Sequence, residues 1–513
     1  MFNFSQWPTY RFVLIAVFFY GIAHIAFLPP FEGFDEPAHW SSISQWGHEG
    51  RMPIYGQDQF DRALQNYPGP MPYTFPGEIS YQTFDFEKHI GPHKSAPPPE
   101  FVGVGGYNWQ AQHPPLYYIL LQPVFKVFNS MDWASQFFAL RTLSWIFAFT
   151  GFVIGVEASK SLFKEHWEKA AIIMSAWPFL VPQFFPEMAR IGNDSLCLLC
   201  FGIVWMAVLK LDQKHQPIRW AVILGIALGA GLWTKAFFVP ITAGLAVYFC
   251  WRYWMEREID TIKYGGTSIG LALAIGVGWY VYKFIAYGNA IGGDEMLQFN
   301  KEGGVLVNFL ENFSLIQMLR GYATIGMSFI YVGNWSLVRT SPWFLIGPAI
   351  LLLWVGYNWL SNSANQRKYR LLPLFVLLPM LAGLSYHQIL RIALDGEGTG
   401  TPGWYLHILT PALACIIAWG WPKHWGVKLL VVYGVLFAIY SWIMQLALFS
   451  GCRIPGPDNT GETVFDASKS CLIDGDNLAA LTFPSVGIFM LLMATSVLIF
   501  GWYSSSRKAA EKL

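Results

Sequence analysis

Long apolar runs alternate with short polar breaks along most of the chain, and their lengths set the first expectation. Runs at 11–28, 133–159, 170–186, 194–210, 219–234, 236–254, 264–287, 342–360, 371–390, 403–421, 427–449 and 485–503 are each near the roughly 20 residues that cross a bilayer as a helix, giving about twelve predicted spans. QHPPLYYILLQPVFKVF, opened by His113, is apolar over only about 15 residues and predicts an interfacial or half-inserted helix. Between the first run and His113 the pattern breaks. PGPMPYTFPG and SAPPPEFVGVGG exclude long regular helices there, although a short surface helix fits after Pro37.

Charge supports the same count. With the N-terminus in the cytoplasm, alternate loops collect the basic clusters Lys160/Lys164/Lys169, Lys210/Lys214/Arg219, Arg252/Arg257/Lys263, Arg367/Lys368/Arg370, Lys423/Lys428 and Arg507/Lys508/Lys512. Reading 113–130 as a full span would put the clusters after it outside. The opposite, extracytoplasmic face then carries the long segments 30–132, 288–341, 391–402 and 450–484. Both termini fall in the cytoplasm, and the protein is expected in the plasma (inner) membrane.

Composition agrees: of 513 residues 54% are hydrophobic and 13% charged, against about a quarter charged in soluble proteins. The fold class expected is an all-α polytopic membrane protein, one transmembrane domain over 1–513. Lys plus Arg (33) nearly equals Asp plus Glu (32), which gives no support for a nucleic-acid partner. Cys197, Cys200, Cys250 and Cys415 sit in apolar runs and read as small buried hydrophobes. Cys452 and Cys471 share a polar Gly- and Pro-rich loop, where a disulfide would stabilise by roughly 3 kcal/mol and mark an oxidising compartment.

Chemistry is concentrated at the exit of the first run, in LPPFEGFDEPAHW. Asp35, Glu36 and His39 stand where the chain leaves the bilayer, and a carboxylate pair there suits activation of a hydroxyl, with its pKa raised by partial burial. The competing reading is that the two acids cap a surface helix beginning near Pro37. His113 before Pro114-Pro115 is presented at the same face. Asp35, His39 and His113 are compatible with a divalent metal, but their spacing requires none. GVGGYN at 103–108 has no following helix and makes a poor phosphate cradle. Arg190, Lys235, Arg320, Arg339 and Arg391 fall at the outer ends of spans or in outer loops, as partners for a lipid-linked phosphate. Lys235, in the tight turn GLWTKAFFVP, is held at bilayer depth, and His387 and Gln388 of SYHQILR line the same cavity.

In order and spacing, FEGFDEPAHW, QHPPLYYIL, PQFFPEMARIGNDSL, GLWTKAFFVPI and PGWYLHILTPAL resemble the GT-C superfamily of integral-membrane glycosyltransferases. The nearest types are protein O-mannosyltransferases, lipid A aminoarabinose transferases and a related group of uncharacterised bacterial polytopic proteins. The resemblance covers roughly 35–410. It implies a GT-C-type bundle whose long first outer loop carries interfacial helices, and inverting transfer of a sugar from a polyprenyl-phosphate donor to a glycan, lipid or protein acceptor. Asp35 matches the catalytic aspartate, with Glu36 beside it. His113 stands where aminoarabinose transferases have a phosphate-contacting Lys, and Trp404 where many relatives have Arg, leaving Arg391 to supply that charge. Lys235 and Arg190 complete the donor-phosphate set, and His39, Tyr117, His387 and Tyr405 line the cavity. A metal is not implied, because members of the superfamily differ. The other function classes open to this pattern are a transporter or flippase of lipid-linked saccharide and a non-catalytic partner in glycan assembly.

Overall fold

The computed structural model describes residues 7–65, 67, 95–213, 216–288, 290, 303–333, 342–361, 367–421, 433–434, 436–437, 453–455, 463–465 and 482–510. The first helix, α1 (Thr9–Phe27), stops against Pro29-Pro30, where no helical amide is available. After a tight irregular turn, α2 (Glu36–Glu49) starts with Pro37 in its first turn and ends on Gly50 at φ 71°. This is the surface helix expected after Pro37.

Much of the long polar segment is strapped onto α2. Strand β1 (Gln59–Asp61) pairs antiparallel with β2 (Gly103–Tyr107), in register Phe60 to Val104 and Asp61 to Gly103. The Gly-rich stretch weighed as a phosphate loop is therefore a strand. Ser41 Oγ accepts from the Asp61 amide (2.8 Å), Ser44 Oγ donates to Asp61 Oδ2 (2.5 Å), and Asn108 Nδ2 donates to Ala38 O (3.1 Å). Each of these buried polar groups is satisfied, so the hairpin and α2 form one unit.

Next come α3 (Leu116–Phe128), 13 residues, and α4 (Trp133–Ser159), capped by Asp132, whose Oδ1 accepts from the Ser135 amide at 2.8 Å. At about 1.5 Å per residue α3 is too short to cross, as its apolar length predicts. The run 170–186 is not one helix. It forms α5 (Trp167–Ser175), α6 (Trp177–Leu180) and α7 (Phe184–Met188), because Pro178, Pro182 and Pro186 interrupt the ladder.

Then follow α8 (Asp194–Asp212), α9 (Pro217–Leu232), α10 (Phe238–Glu256) and α11 (Ile259–Tyr287). The expected outer segment 288–341 contains two helices, α12 (Gly304–Asn312) and α13 (Leu315–Ile330). The last helices are α14 (Pro342–Ser361), α15 (Arg367–Asp395), α16 (Thr410–Gly420) and α17 (Pro484–Ala510).

Among the described residues seven helical stretches are long and apolar enough to cross a membrane: Thr9–Phe27, Trp133–Leu162, Asp194–Asp212, Ile259–Tyr287, Arg370–Asp395, Gly403–Gly420 and Pro484–Ser504. Helix α9 and the stretch Leu345–Ser361 are apolar but shorter, and most of the run 427–449 lies outside the described residues, as do Cys452, Cys471 and Arg339. Packing is helix on helix: α1 lies along α17, α4 along α8, and α9 between α8 and α11. Gly151 of α4 and Gly202 of α8 face each other so closely that a Cβ on either would collide with the other helix's backbone. An aromatic cluster of Phe31, Trp40, Tyr67, Trp133 and Phe137 joins the turn after α1 to α2 and α4.

Candidate active site

The turn between α1 and α2 is fixed by Arg141, which projects from α4 and is fully buried. Its Nη1 donates to Leu28 O (2.5 Å), its Nη2 to Pro29 O (2.7 Å), and Nε and Nη2 grip Glu36 Oε1 and Oε2 at 2.7 and 2.6 Å. Glu36 also accepts the amides of Gly33 and Ile191, both at 2.9 Å. A buried ion pair survives only when its remaining lone pairs are satisfied, and here they are. Gly33 is required: a Cβ there would run into the Glu36 and Arg190 side chains. Glu36, one of the two predicted catalytic acids, is thus occupied in holding the turn.

Asp35 differs from its neighbour. It occupies the N-cap position of α2 but makes no capping bond and has φ 58°, a left-handed backbone that Asp tolerates at some cost. Its side chain instead accepts from Trp109 Nε1 at 3.3 Å. Burial raises its pKa, with Arg190, Lys235 and the Trp109 bond pulling the other way. Trp109 sits on the short helical turn Trp109–Gln112, started by Asn108, whose side chain accepts the Gln110 amide at 3.0 Å. The strapped hairpin therefore delivers the indole to the carboxylate.

Beside Asp35 lies a buried group of four charges. Arg190 donates through Nη1 to Phe34 O (2.7 Å), through Nε and Nη2 to Glu187 (3.2 and 2.7 Å), and through Nη2 to Asp194 Oδ2 (3.1 Å). Lys235 donates to both oxygens of Asp194 at 2.9 and 2.8 Å. Its Nζ also lies 4.6 Å from the Phe237 ring centroid and 4.5 Å from that of Tyr405. The turn holding Lys235 is tied to α3 by the Leu116 amide, which donates to Trp233 O at 3.0 Å. Burial pushes the Glu187 carboxyl up to about 8, with Asp194 adding to the rise and Arg190 opposing it.

The histidines are neutral. His39 shares a 2.9 Å hydrogen bond with Tyr118 OH, and burial, then Arg190, holds it well below the usual imidazole range. His113 is also held well below the usual imidazole range, first by burial and then by Lys235. An uncharged His113 brings no cation to a phosphate. Tyr117 is a positioning group: its hydroxyl bonds Ser144 Oγ at 2.7 Å and accepts the Gly192 amide at 2.8 Å. Among the described residues no three His, Cys, Asp or Glu side chains converge as a metal site, and Asp35, His39 and His113 do not form one.

The remaining predicted residues frame the same region. Tyr405 stands within electrostatic range of Asp35, Asp194 and Glu187. Trp404 stacks on Phe34 at 4.1 Å and 19°. His387 Nδ1 bonds Thr401 Oγ1 at 2.9 Å and senses both Arg391 and Lys235, while Arg391 is itself paired with Asp395 at 2.5 Å. Arg320 is exposed. Sequence reading missed Glu187, Asp194 and Trp109 as site members. The available signal was Glu187-x-x-Arg190-x-x-x-Asp194, three ionisable residues at helical spacing in an apolar neighbourhood.

Comparison with known proteins gives a family-model match over part of the chain and a general structural likeness. A family model described as dolichyl-phosphate-mannose-protein mannosyltransferase matches residues 112–280, about a third of the chain. That stretch holds His113, Glu187, Arg190, Asp194 and Lys235. A search of curated proteins finds no match. Among solved structures, ArnT from Cupriavidus metallidurans bound to undecaprenyl phosphate aligns over 97% of this chain and 78% of its own, at 11% identity and TM-score 0.46. The apo state of the same protein aligns over 97% and 77% at 10% identity and the same score, too low to carry a functional argument. Over residues 112–280 the chain is similar to the dolichyl-phosphate-mannose-protein mannosyltransferases.

Proposed function

We propose that this protein transfers a sugar from a polyprenyl-phosphate donor to an acceptor hydroxyl at the extracytoplasmic membrane surface, with inversion and with Asp35 as general base. The observation that carries the reading is one half-buried carboxylate, raised in pKa, beside two buried cations on a rigid turn. In the reaction Asp35 takes the proton of the acceptor hydroxyl. The acceptor oxygen attacks the anomeric carbon, and the bond from that carbon to the phosphate oxygen breaks with its electron pair leaving on phosphate. A donor already activated by phosphate needs only a placed base and cations for the departing charge. Lys235 and Arg190 supply the nearer cations and Arg391, beside His387, a further one; Tyr405 lies against Lys235 and Trp404 against Phe34, and His113 and His39 remain neutral.

The test is Asp35→Asn in purified protein, given a panel of radiolabelled polyprenyl-phosphate sugars. Transfer falls by about 10²- to 10⁴-fold, the usual contribution of a general base, while melting temperature and donor binding are unchanged. Undiminished transfer removes the assignment of Asp35. Donor carried across vesicles by wild type and variant alike, with no glycosidic product, favours a flippase.

A further inference from the structure

Arg190 offers one nitrogen, Nη2, to two carboxylates at once: Glu187 Oε1 at 2.7 Å and Asp194 Oδ2 at 3.1 Å. Those oxygens are brought together on one donor, which sets the two carboxyls side by side. Both are fully buried. Two carboxylates sharing one donor in a dry site disfavour double ionisation, and a proton kept on one of them relieves the repulsion. Partners decide which. Asp194 takes both Lys235 bonds and one from Arg190, whereas among the described residues Glu187 takes hydrogen bonds from Arg190 alone. The proton therefore belongs on Glu187.

We propose that Glu187 is held as the neutral acid, hydrogen-bonded to Asp194, so that the Glu187–Arg190–Asp194–Lys235 group carries one net positive charge with which to receive the donor phosphate. With both acids ionised the group would be neutral, because each cation would be cancelled. The inference rests on the donor reading above and names how that reading obtains its charge. The charged and titratable groups facing Glu187 are Arg190 from its own segment, Asp194 and Cys197 from α8, Lys235 from the α9–α10 turn, and Tyr405 from the stretch before α16, with Asp35 beyond Arg190. The raised Glu187 pKa, about 8, fits this assignment: the acid is neutral below that value and ionises above it. The group's surplus charge is then present on the acid side and lost as the pH rises.

Two measurements on the full-length protein in detergent test this. Infrared difference spectra, wild type minus Glu187→Gln, show a protonated carboxylic C=O band near neutral pH. The same band persists in Asp35→Asn and fades in wild type between about pH 7 and about pH 9. Binding of a polyprenyl monophosphate weakens about tenfold over that interval in wild type, the scale of one unit charge a few ångströms away in a partly screened site, and stays level in Glu187→Gln. A structural role alone would not move either readout. Absence of the band overturns the proposal, as does equal pH dependence of binding in the two proteins. If Glu187→Gln fails to fold, the wild-type titration, read against Asp35→Asn, still decides. Should polyprenyl monophosphate bind neither protein at any pH, the phosphate role falls with the donor assignment, while the band separately rules on the proton.

Discussion

Helix α8 begins and ends on a buried aspartate, and the two ends are built for different work. At one end Asp212 accepts from Tyr248 OH at 2.5 Å and pairs with Arg252, which also reaches Glu256 at 2.5 Å. The group joins α8 to α10, and its half-exposed acid, Glu256, is itself engaged by Arg252. At the other end Asp194 also meets a cation from the α10 side, Lys235, but here the network continues through Arg190 to Glu187 and to the backbone of Phe34, one residue before Asp35. The same device, an acid at a helix end clamped by a neighbouring cation, is a staple at one end and, on the proposed reading, a support for chemistry at the other. Buried charge alone does not mark a site; an adjoining ionisable group left poised to react does.

Removing the cation at each end sharpens this comparison most. On the proposed reading Lys235→Met deletes a cation that would meet developing phosphate charge, and it is expected to lower kcat by about 10²- to 10³-fold. Its stability loss is the smaller of the two, since Asp194 keeps its Arg190 bond. Arg252→Met leaves Asp212 without its guanidinium, costs about 3–5 kcal/mol, and preserves kcat in the folded fraction. Chemical denaturation and transfer assays on both variants check the pair. Equal loss of turnover in the two would mean that the difference between the ends is not functional.

Adjacent carboxylates repeat the contrast at smaller scale. Glu36 lies between Arg141 and two backbone amides, whereas Asp35 accepts one long bond from an indole. Glu36→Gln is expected to destabilise by about 3 kcal/mol, because the fully buried Arg141 loses its counter-charge. Asp35→Asn leaves stability unchanged. Reversal of these two outcomes in thermal denaturation would exchange the roles of the two acids.

How much of this was legible in the sequence follows from what each feature depends on. Apolar runs are local, so α1, α4, α8, α11 and α15 fall close to where hydropathy puts them. Prolines within the run 170–186 were local too, yet average hydropathy hides them, and the span expected there is three short helices. Asp35, Lys235 and His113 were legible because each is a charged or polar residue at the edge of an apolar run. Their division of labour was not. Whether Glu36 reacts or anchors is decided by Arg141, 105 residues away, and the cation that takes both oxygens of Asp194 is Lys235, from a different turn. Pairings of that sequence separation leave no trace in one chain's spacing. Trp109 was hidden for the same reason, since it reaches Asp35 only through a two-stranded hairpin whose strands lie more than 40 residues apart.

The smallest expected effect is the most specific. Trp109 Nε1 donates to Asp35 Oδ1, and that bond favours the ionised carboxylate against the burial that disfavours it. Trp109→Phe keeps an aromatic ring against Phe60, whose centroid lies 4.8 Å from the indole, and removes only the donor. A single hydrogen bond is worth about 1 kcal/mol net, or somewhat under one pH unit. If Asp35 is the general base proposed above, it must be ionised to act, and activity rises with pH through its pKa. Loss of a bond to the charged form raises that pKa further, so the acid limb of kcat/KM moves to higher pH by about half a unit to one unit. The plateau at higher pH is unchanged, since Asp35 is ionised there in both proteins. Movement of the limb to lower pH, or loss of the plateau with the limb unmoved, would mean that the indole acts on the fold or the substrate and not on the proton affinity of Asp35.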